Sequence, residues 1–135
     1  MLEQSKIDLA RYRLDKAKEC LHVAEYLISP EEYLAVLNRS YYAIFHAIRA
    51  IFAIEGVDRR KHSGVISYFQ QNYVKTGLFD KEFSKVVQEA FEIRQESDYE
   101  DFYVISKEEA IKQYENAKKF VISVDEYVKS LAKQF

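Results

Sequence analysis

The chain has 135 residues, and 48% of them are hydrophobic, so it is long and apolar enough to form a buried core rather than a disordered linker. It contains only 3 Gly and 1 Pro, and no stretch repeats the short rhythm of strand and turn. Lys and Arg number 20 against 22 Asp and Glu, a net charge of -2, which excludes the overall basic character of an obligate nucleic-acid binder. We therefore expect a mostly helical protein in which any contact with RNA is local.

Several further classes of protein are disfavoured by single residues and short runs. The one cysteine, Cys20, can form neither an internal disulfide nor a four-thiolate zinc site, and a lone Glu19-x-x-His22 lacks the second copy that a di-iron bundle needs. The first residues do not resemble a signal peptide, and the apolar runs at 41–45 and 50–54 are far shorter than the roughly 18 to 20 residues that cross a bilayer. We expect a soluble, cytoplasmic protein of one domain, residues 1–135, with no metal, no other cofactor and no membrane contact.

The first two helices are predicted from apolar residues that recur at steps of three and four. Helix one runs from about Ser5 to Ile28. Ser29 is predicted to be an N-cap and Pro30 the first helical residue, and a Glu among the two that follow would complete a capping box. Helix two is therefore expected to begin at Pro30. Helix two is expected to end at Gly56, and its core-facing residues are Leu34, Leu37, Tyr41, Ile44, Ile48 and Ile51.

Three more helices complete the pattern. A short one is expected from about Ser63 to Thr76, and Gly77 ends it; a fourth begins after Asp80, and a fifth after a capping box at Ser106. The acidic segment 95–105 is expected to be a loop or a frayed helix end. The inward residues of the short and fourth helices are Val65, Phe69, Tyr73, Phe83, Val86, Ala90 and Ile93. The fold class is all-α, an antiparallel up-and-down bundle of four long helices and one short helix.

Helix two carries a second, polar stripe beside its core seam. Placed on a helical wheel, Arg39, Tyr42, His46 and Arg49 fall between about 80° and 160° from Tyr41. Arg offers a permanently charged donor fork for phosphate, and His titrates near neutrality, so this pair suits phosphodiester cleavage in RNA. The same stripe is also compatible with packing against a neighbouring helix or a dimer partner through side-chain stems and ring edges.

Two other charged groups are candidates for binding. The loop at 58–62, which includes Lys61 and His62, is the densest basic cluster and is suited to a phosphate, although such a run is more often a solvated loop. Arg94 and Asp98 form an i, i+4 pair where helix four ends, next to Tyr99. They serve either as part of a binding surface or only as a brace for that helix end.

Several separated motifs stand in a distinctive order and spacing: residues 38–47, 61–66, Phe69, 74–77, and Arg94 followed by Asp98 and Tyr99. Together they resemble the small single-domain HEPN proteins of bacteria and archaea, and the similarity covers roughly Ala35 to Phe120. The resemblance implies a fold of four or five helices and a homodimer. It also implies a possible pairing with a minimal nucleotidyltransferase as antitoxin, since such proteins are often encoded side by side.

The resemblance further implies two alternative activities. Catalytic members are metal-independent ribonucleases with an Arg, four to six intervening residues and a His, a pattern that Arg39 and His46 match. Arg39 would then stabilise the scissile phosphate and His46 would move a proton, with Tyr42 positioning the RNA and Arg49 adding charge. Other members bind a nucleotide or serve as the partner subunit without catalysis, and for them the important surface would be formed by Lys61, His62, Arg94, Asp98 and Tyr99.

Overall fold

The protein is a bundle of five α-helices, seen in a computed structural model that describes residues 3–133. Within these residues there is no β-strand, and no helix is both long and apolar enough to span a bilayer. The elements are α1 (Gln4–Ile28), α2 (Tyr33–Glu55), α3 (His62–Phe69) with a π-helical turn (Gln70–Val74), α4 (Lys81–Tyr99) and α5 (Lys107–Lys133). The all-α fold expected from the sequence is confirmed.

Helix α2 is the centre of the core. Its inner positions are buried on nearly every side, because α1 covers one flank, α5 runs parallel to it on another, and α3 and α4 close the rest. The sequence of such a helix is almost continuously apolar, whereas a helix buried on one side has only a narrow stripe of apolar residues. The largest fully buried side chains of the protein are Tyr41, Phe52, Phe69, Phe120, Ile44, Ile48 and Ile51. The polar stripe of Arg39, Tyr42, His46 and Arg49 lies on the side of α2 that borders α1 and the start of α3.

The turn between α1 and α2 differs from the sequence expectation. Pro30 does not begin α2, and Ser29 does not cap it; α2 begins at Tyr33 after Glu32, which makes no side-chain cap. Instead the backbone N–H of Glu32 donates to the Leu27 carbonyl and that of Glu31 donates to the Ile28 carbonyl, while Glu31 adopts a positive φ of 63°. This pattern closes the C-terminus of α1 in a Schellman motif. Residues 29–32 thus end α1 rather than start α2.

Leu34 is a second departure, because it is exposed although it was expected on the core seam. At this end of α2 the buried neighbours are Ala24 of α1 with Ala110 and Tyr114 of α5, and they pack on Val36. Val36 lies on the opposite side of the helix from Leu34, so the buried face of α2 changes along its length. The other five expected seam residues of α2 are buried.

The end of α2 and the starts of α4 and α5 lie where the sequence predicts them. Gly56 ends α2 with a φ of 73°, and the side chain of Asp80 accepts a hydrogen bond from the Glu82 N–H over 3.0 Å at the start of α4. Ser106 Oγ likewise accepts from the Glu109 N–H over 3.1 Å at the start of α5. The short helix begins at His62 and turns π-helical after Phe69, so it is not a regular α-helix over the expected span.

Helix α4 is longer and less buried than the sequence suggests. It continues to Tyr99, so only the second half of the acidic segment 95–105 is a loop. Phe83 and Ile93 are half-buried, because this helix covers the bundle from one side, while Val86 and Ala90 are buried as expected. The extension to Tyr99 holds Arg94 and Asp98 one helical turn apart on one face, beside α2.

Candidate functional site

His46 lies half-buried on α2 among cationic side chains from two helices. Arg13 of α1 donates from Nη1 to the backbone carbonyl oxygen of Arg49 over 2.8 Å, which holds the Arg13 side chain against α2 at Arg49. Burial lowers the pKa of His46, and the charges of Lys16, Arg49 and Arg13 lower it further because each disfavours the imidazolium. We refer to Arg13, Lys16, His46 and Arg49 as the cationic cluster.

The cationic cluster is only partly neutralised. Burial lowers the pKa of Arg13, and the charges of Arg49 and Arg60 lower it further, while Asp58 opposes them. Asp58 is itself engaged by Arg60, whose Nε lies 3.4 Å from its carboxylate oxygen. A concentration of like charge that is partly withdrawn from water favours the binding of an anion.

A second group of side chains, the aromatic cluster, lies where α2, α3 and α4 meet; it consists of Tyr41, Tyr42, Phe45, His62 and Arg94. The Arg94 guanidinium lies over the ring of Tyr41 at 5.1 Å and over that of Tyr42 at 5.4 Å, a cation–π arrangement. Its Nη2 donates to the Tyr42 hydroxyl over 3.2 Å, and its Nε lies 3.5 Å from a carboxylate oxygen of Asp98. Arg94 thus ties the C-terminal half of α4 to the middle of α2.

His62, the first residue of α3, completes the aromatic cluster. Its ring stacks on Phe45, with centroids 4.2 Å apart and planes inclined by 11°, and its Nδ1 lies 2.5 Å from the Tyr41 hydroxyl. Burial and the charge of Arg94 lower its pKa. The two clusters adjoin at Tyr42, whose ring centroid lies 6.0 Å from that of His46 and 5.9 Å from that of His62.

The remaining candidates from the sequence lie at the edges of this surface. Arg39 is exposed and lies beside Cys20, where it opposes the rise in the pKa of Cys20 that burial causes. It is two helical turns, about 10 Å along the axis, from His46, so the two do not form a contact pair within one chain. Lys61 is exposed just before α3, and Tyr99 is 85% exposed at the end of α4. The structure therefore groups His46, Tyr42, Arg49, His62, Arg94 and Asp98, with Arg39, Lys61 and Tyr99 around them.

The sequence analysis missed Arg13 and Lys16, although a signal for them exists. In an antiparallel helix pair, residues equally far from the connecting turn lie opposite one another. Counted from the turn at Glu31, Arg13 is opposite Arg49, and Lys16 is opposite His46. Pairing the charged positions of α1 and α2 in this way predicts the cationic cluster from the sequence.

The part of the chain that the structure describes was also compared with the requirements of a metal site. Within residues 3–133, no group of three or more His, Cys, Asp or Glu side chains is arranged to hold a metal ion. The chemistry that this surface offers on its own is that of fixed positive charge, aromatic faces and two imidazoles of lowered pKa.

Comparison with known proteins agrees with this architecture. A family model described as the HEPN domain matches residues 10–127. A UPF0332 protein of Thermotoga maritima is 32% identical over 131 residues, which cover 97% of this chain and 98% of the relative, and one of Archaeoglobus fulgidus is 33% identical over 115 residues, covering 85% and 91%. A Methanocaldococcus jannaschii protein named "putative toxin" is 34% identical over 97 residues, covering 72% of this chain and 66% of the relative. The chain therefore belongs to the HEPN domain family.

Proposed function

We propose that this chain is a toxin-like HEPN protein that acts on RNA as a metal-independent ribonuclease, at a cleft formed between two copies. The observation that carries the proposal is the cationic cluster, in which burial lowers the pKa of a half-buried His46 and the nearby charges of Lys16, Arg49 and Arg13 lower it further. A phosphodiester is the anion that such a surface attracts, and a neutral imidazole beside it is in the form that accepts a proton. The toxin-like name of the M. jannaschii relative supports the same class of function.

The reaction requires one proton acceptor and stabilisation of the phosphate. His46 accepts the proton of the ribose 2′-hydroxyl, the 2′ oxygen forms a bond to phosphorus, and the bond from phosphorus to the 5′ oxygen breaks as that oxygen takes a proton from water. Arg39 and Arg49 offset the charge that builds up on the phosphate. Tyr42 borders both imidazoles and offers its ring as a stacking surface for a base.

A homodimer would bring Arg39 close to a His46, which a single chain does not do. Arg39, which is exposed, and the half-buried His46 are about two turns apart on one polar strip of α2. Across a two-fold axis the strip faces a copy of itself, so Arg39 of one subunit approaches the other subunit's His46. This arrangement makes cleavage depend on the dimer and predicts that activity falls at protein concentrations below the dissociation constant of the pair.

The test is cleavage of a mixed-sequence, end-labelled RNA in excess chelator by the purified chain. We expect His46→Ala to abolish cleavage while circular dichroism shows an unchanged helical fold. His22→Ala is the matched control, because His22 is an exposed histidine of α1 that belongs to neither cluster. Full activity in folded His46→Ala, or loss of activity in His22→Ala as well, contradicts the assignment of the site.

The second candidate is a module without catalysis that binds a nucleotide or a nucleotidyltransferase partner. It is favoured by one observation, namely that Arg39 and His46 do not meet within the chain, whereas Arg94, Asp98, Tyr42 and His62 do. A gene for a small nucleotidyltransferase next to this one would favour a paired system. Expression of the wild type beside Arg39→Ala then distinguishes the two, since only a nuclease toxin slows growth in a way that Arg39→Ala relieves.

A further inference from the structure

The hydrogen bond between Tyr41 and His62 determines which nitrogen of the imidazole carries its proton. The two side chains are 2.5 Å apart, from the Tyr41 hydroxyl to Nδ1 of His62, and Tyr41 is only 1% exposed. A phenol both donates and accepts, so the direction of this bond depends on what else surrounds the hydroxyl.

The surroundings favour donation from Tyr41 to His62. On its other side Tyr41 faces the guanidinium of Arg94, a group that donates and never accepts. If Nδ1 of His62 also donated, the buried phenol proton would have no acceptor within residues 3–133. Burial raises the pKa of Tyr41 despite the opposing charge of Arg94, so the hydroxyl keeps its proton and has one to give.

The opposite nitrogen of His62 is then the one that faces a ligand. With Nδ1 accepting from Tyr41, the neutral ring carries its proton on Nε2. Nε2 of His62 makes no hydrogen bond within the described chain, yet it is not among the buried side-chain atoms that lack one, which are Ser40 Oγ, Arg49 Nε and Arg94 Nε, so it is not enclosed in the core. The stacked Phe45 holds the ring plane and thereby the direction of this N–H.

The charges around His62 oppose its conversion to a cation. Arg94 faces it from α4, the neutral phenols Tyr41 and Tyr42 face it from α2, and Asp98 is engaged with Arg94 by their ion pair. A neutral donor next to fixed positive charge resembles an oxyanion-binding group more than a general acid.

Building on the proposed function, we propose that His62 is a positioning residue: a neutral Nε2–H donor, fixed by Tyr41, that binds a non-bridging phosphate oxygen of the RNA while His46 alone transfers the proton. The two histidines adjoin through Tyr42, whose ring lies 6.0 Å from that of His46 and 5.9 Å from that of His62. A single phosphate group is thus held between the donor on α3 and the cationic cluster on α1 and α2.

The first test reads the tautomer directly and does not depend on activity. Long-range proton–nitrogen NMR of the 15N-labelled protein resolves the three histidines, and replacing each in turn assigns them. At pH 7.5 we expect His62 to be neutral with its proton on Nε2, and we expect Tyr41→Phe to abolish that preference. A proton on Nδ1, or an imidazolium at this pH, overturns the proposal.

The second test measures binding of a 2′-O-methyl oligonucleotide, which cannot be cleaved. The amide nitrogen of Gln lies where Nε2 of His62 lies, so His62→Gln should bind nearly as tightly as the wild type. His62→Ala should bind roughly 3- to 10-fold more weakly, the loss that follows from one neutral hydrogen bond. Equal binding by His62→Ala and the wild type overturns the role, even where His46-dependent cleavage is found.

The pH profile of cleavage separates this proposal from a mechanism in which both histidines move protons. We expect one ionisation, below 6.5, in kcat/KM of the wild type and the same profile at lower amplitude in His62→Gln. A bell-shaped wild-type profile that loses one limb in His62→Gln overturns the proposal. If the wild type cleaves no RNA but His62→Ala still weakens oligonucleotide binding, the nuclease proposal fails and the positioning role of His62 stands.

Discussion

Arg13 and Arg49 lie side by side on adjacent helices, joined by the 2.8 Å hydrogen bond from Nη1 of Arg13 to the main-chain oxygen of Arg49. Two like charges held together in a partly buried position cost free energy of folding, and the charge of Arg49 adds to the lowering of the Arg13 pKa that burial causes. The same pair lowers the pKa of His46 one turn earlier on α2. The two charges that cost stability therefore also affect the protonation state of His46, the candidate base.

Replacing Arg13 by Met keeps most of the stem and removes the charge. Because that charge disfavours the imidazolium, we expect the pKa of His46, measured by NMR titration, to rise toward its ordinary value of 6.5. RNA binding should weaken, and its dependence on the logarithm of salt concentration should become shallower by about one. Arg11→Met, an exposed position on α1, is the matched control. An unchanged His46 pKa in Arg13→Met contradicts the electrostatic account of the cationic cluster.

Much of the fold could be predicted from the sequence because its signals are local. The spacing of apolar residues determines which face of a helix is buried, and single residues such as Gly56, Asp80 and Ser106 end or begin helices through backbone conformation and short-range hydrogen bonds. The signal at Ser29 and Pro30 was ambiguous, since the same residues fit the start of one helix and the end of another. In the structure these residues close α1 in a Schellman motif, although this motif places Glu31 in a conformation usually taken by Gly.

The candidate site was only half predictable, for a different physical reason. The polar strip of α2 is a property of one helix, so Tyr42, His46 and Arg49 follow from a helical wheel. The partners that determine its chemistry come from other elements: Arg13 from α1 and Arg94 from α4. Which hydroxyl lies against which imidazole nitrogen depends on ångström-scale packing, and no spacing rule predicts the bond between Tyr41 and His62.

The stability of the fold should fall as the pH decreases below about 6.5. His46 and His62 both have lowered pKa values in the folded protein, so they bind protons less tightly there than in the unfolded chain. Their contribution is therefore fully present above about pH 6.5, the ordinary value, and is lost as the pH falls below it. The lowered pKa of Asp125 acts only at much lower pH, because its ordinary value is 3.8.

Urea unfolding at pH 7.5, 6.5 and 5.5 checks this pH dependence. We expect the free energy of unfolding to decrease across this series in the wild type, and to decrease less in His46→Gln and in His62→Gln. His22→Gln, which removes an exposed imidazole, should keep the wild-type dependence. A stability that is flat across the series, or that rises toward pH 5.5, would show that the two clusters do not resist protonation.

Glu55 at the end of α2 joins three elements through its carboxylate. Tyr73 of the π-helical turn donates to Oε2 over 2.7 Å, and Tyr127 of α5 donates to Oε1 over 2.5 Å. Because Tyr73 is buried, removing the acceptor leaves its hydroxyl without the partner that offsets its desolvation. We expect Glu55→Ala to lower the free energy of unfolding by about 1 to 2 kcal/mol, the usual range for hydrogen bonds to a charged group, reduced for solvent exposure.

A double-mutant cycle in urea unfolding tests whether the two tyrosines act through Glu55. Once Glu55 is Ala, Tyr73→Phe should cost less than it does in the wild type, because the bond it would break is already absent. Glu126→Ala, an exposed neighbour of Tyr127 on α5, controls for the loss of one surface carboxylate. Strict additivity of Glu55→Ala and Tyr73→Phe would mean that the hydrogen bond contributes nothing measurable.

Glu31 is the residue at which replacement should stabilise the protein. It adopts a φ of 63° at the end of α1, a left-handed conformation that costs roughly 1 to 2 kcal/mol for a residue with a Cβ atom and very little for Gly. Glu31→Gly removes this strain while adding some backbone freedom to the unfolded chain, so the free energy of unfolding should rise by about 0.5 to 1 kcal/mol. Glu32→Gly, one residue later and outside the left-handed region, has no strain to relieve and should be neutral or destabilising. If urea unfolding shows that Glu31→Gly destabilises the protein as Glu32→Gly does, the closure of α1 does not follow the Schellman geometry described above.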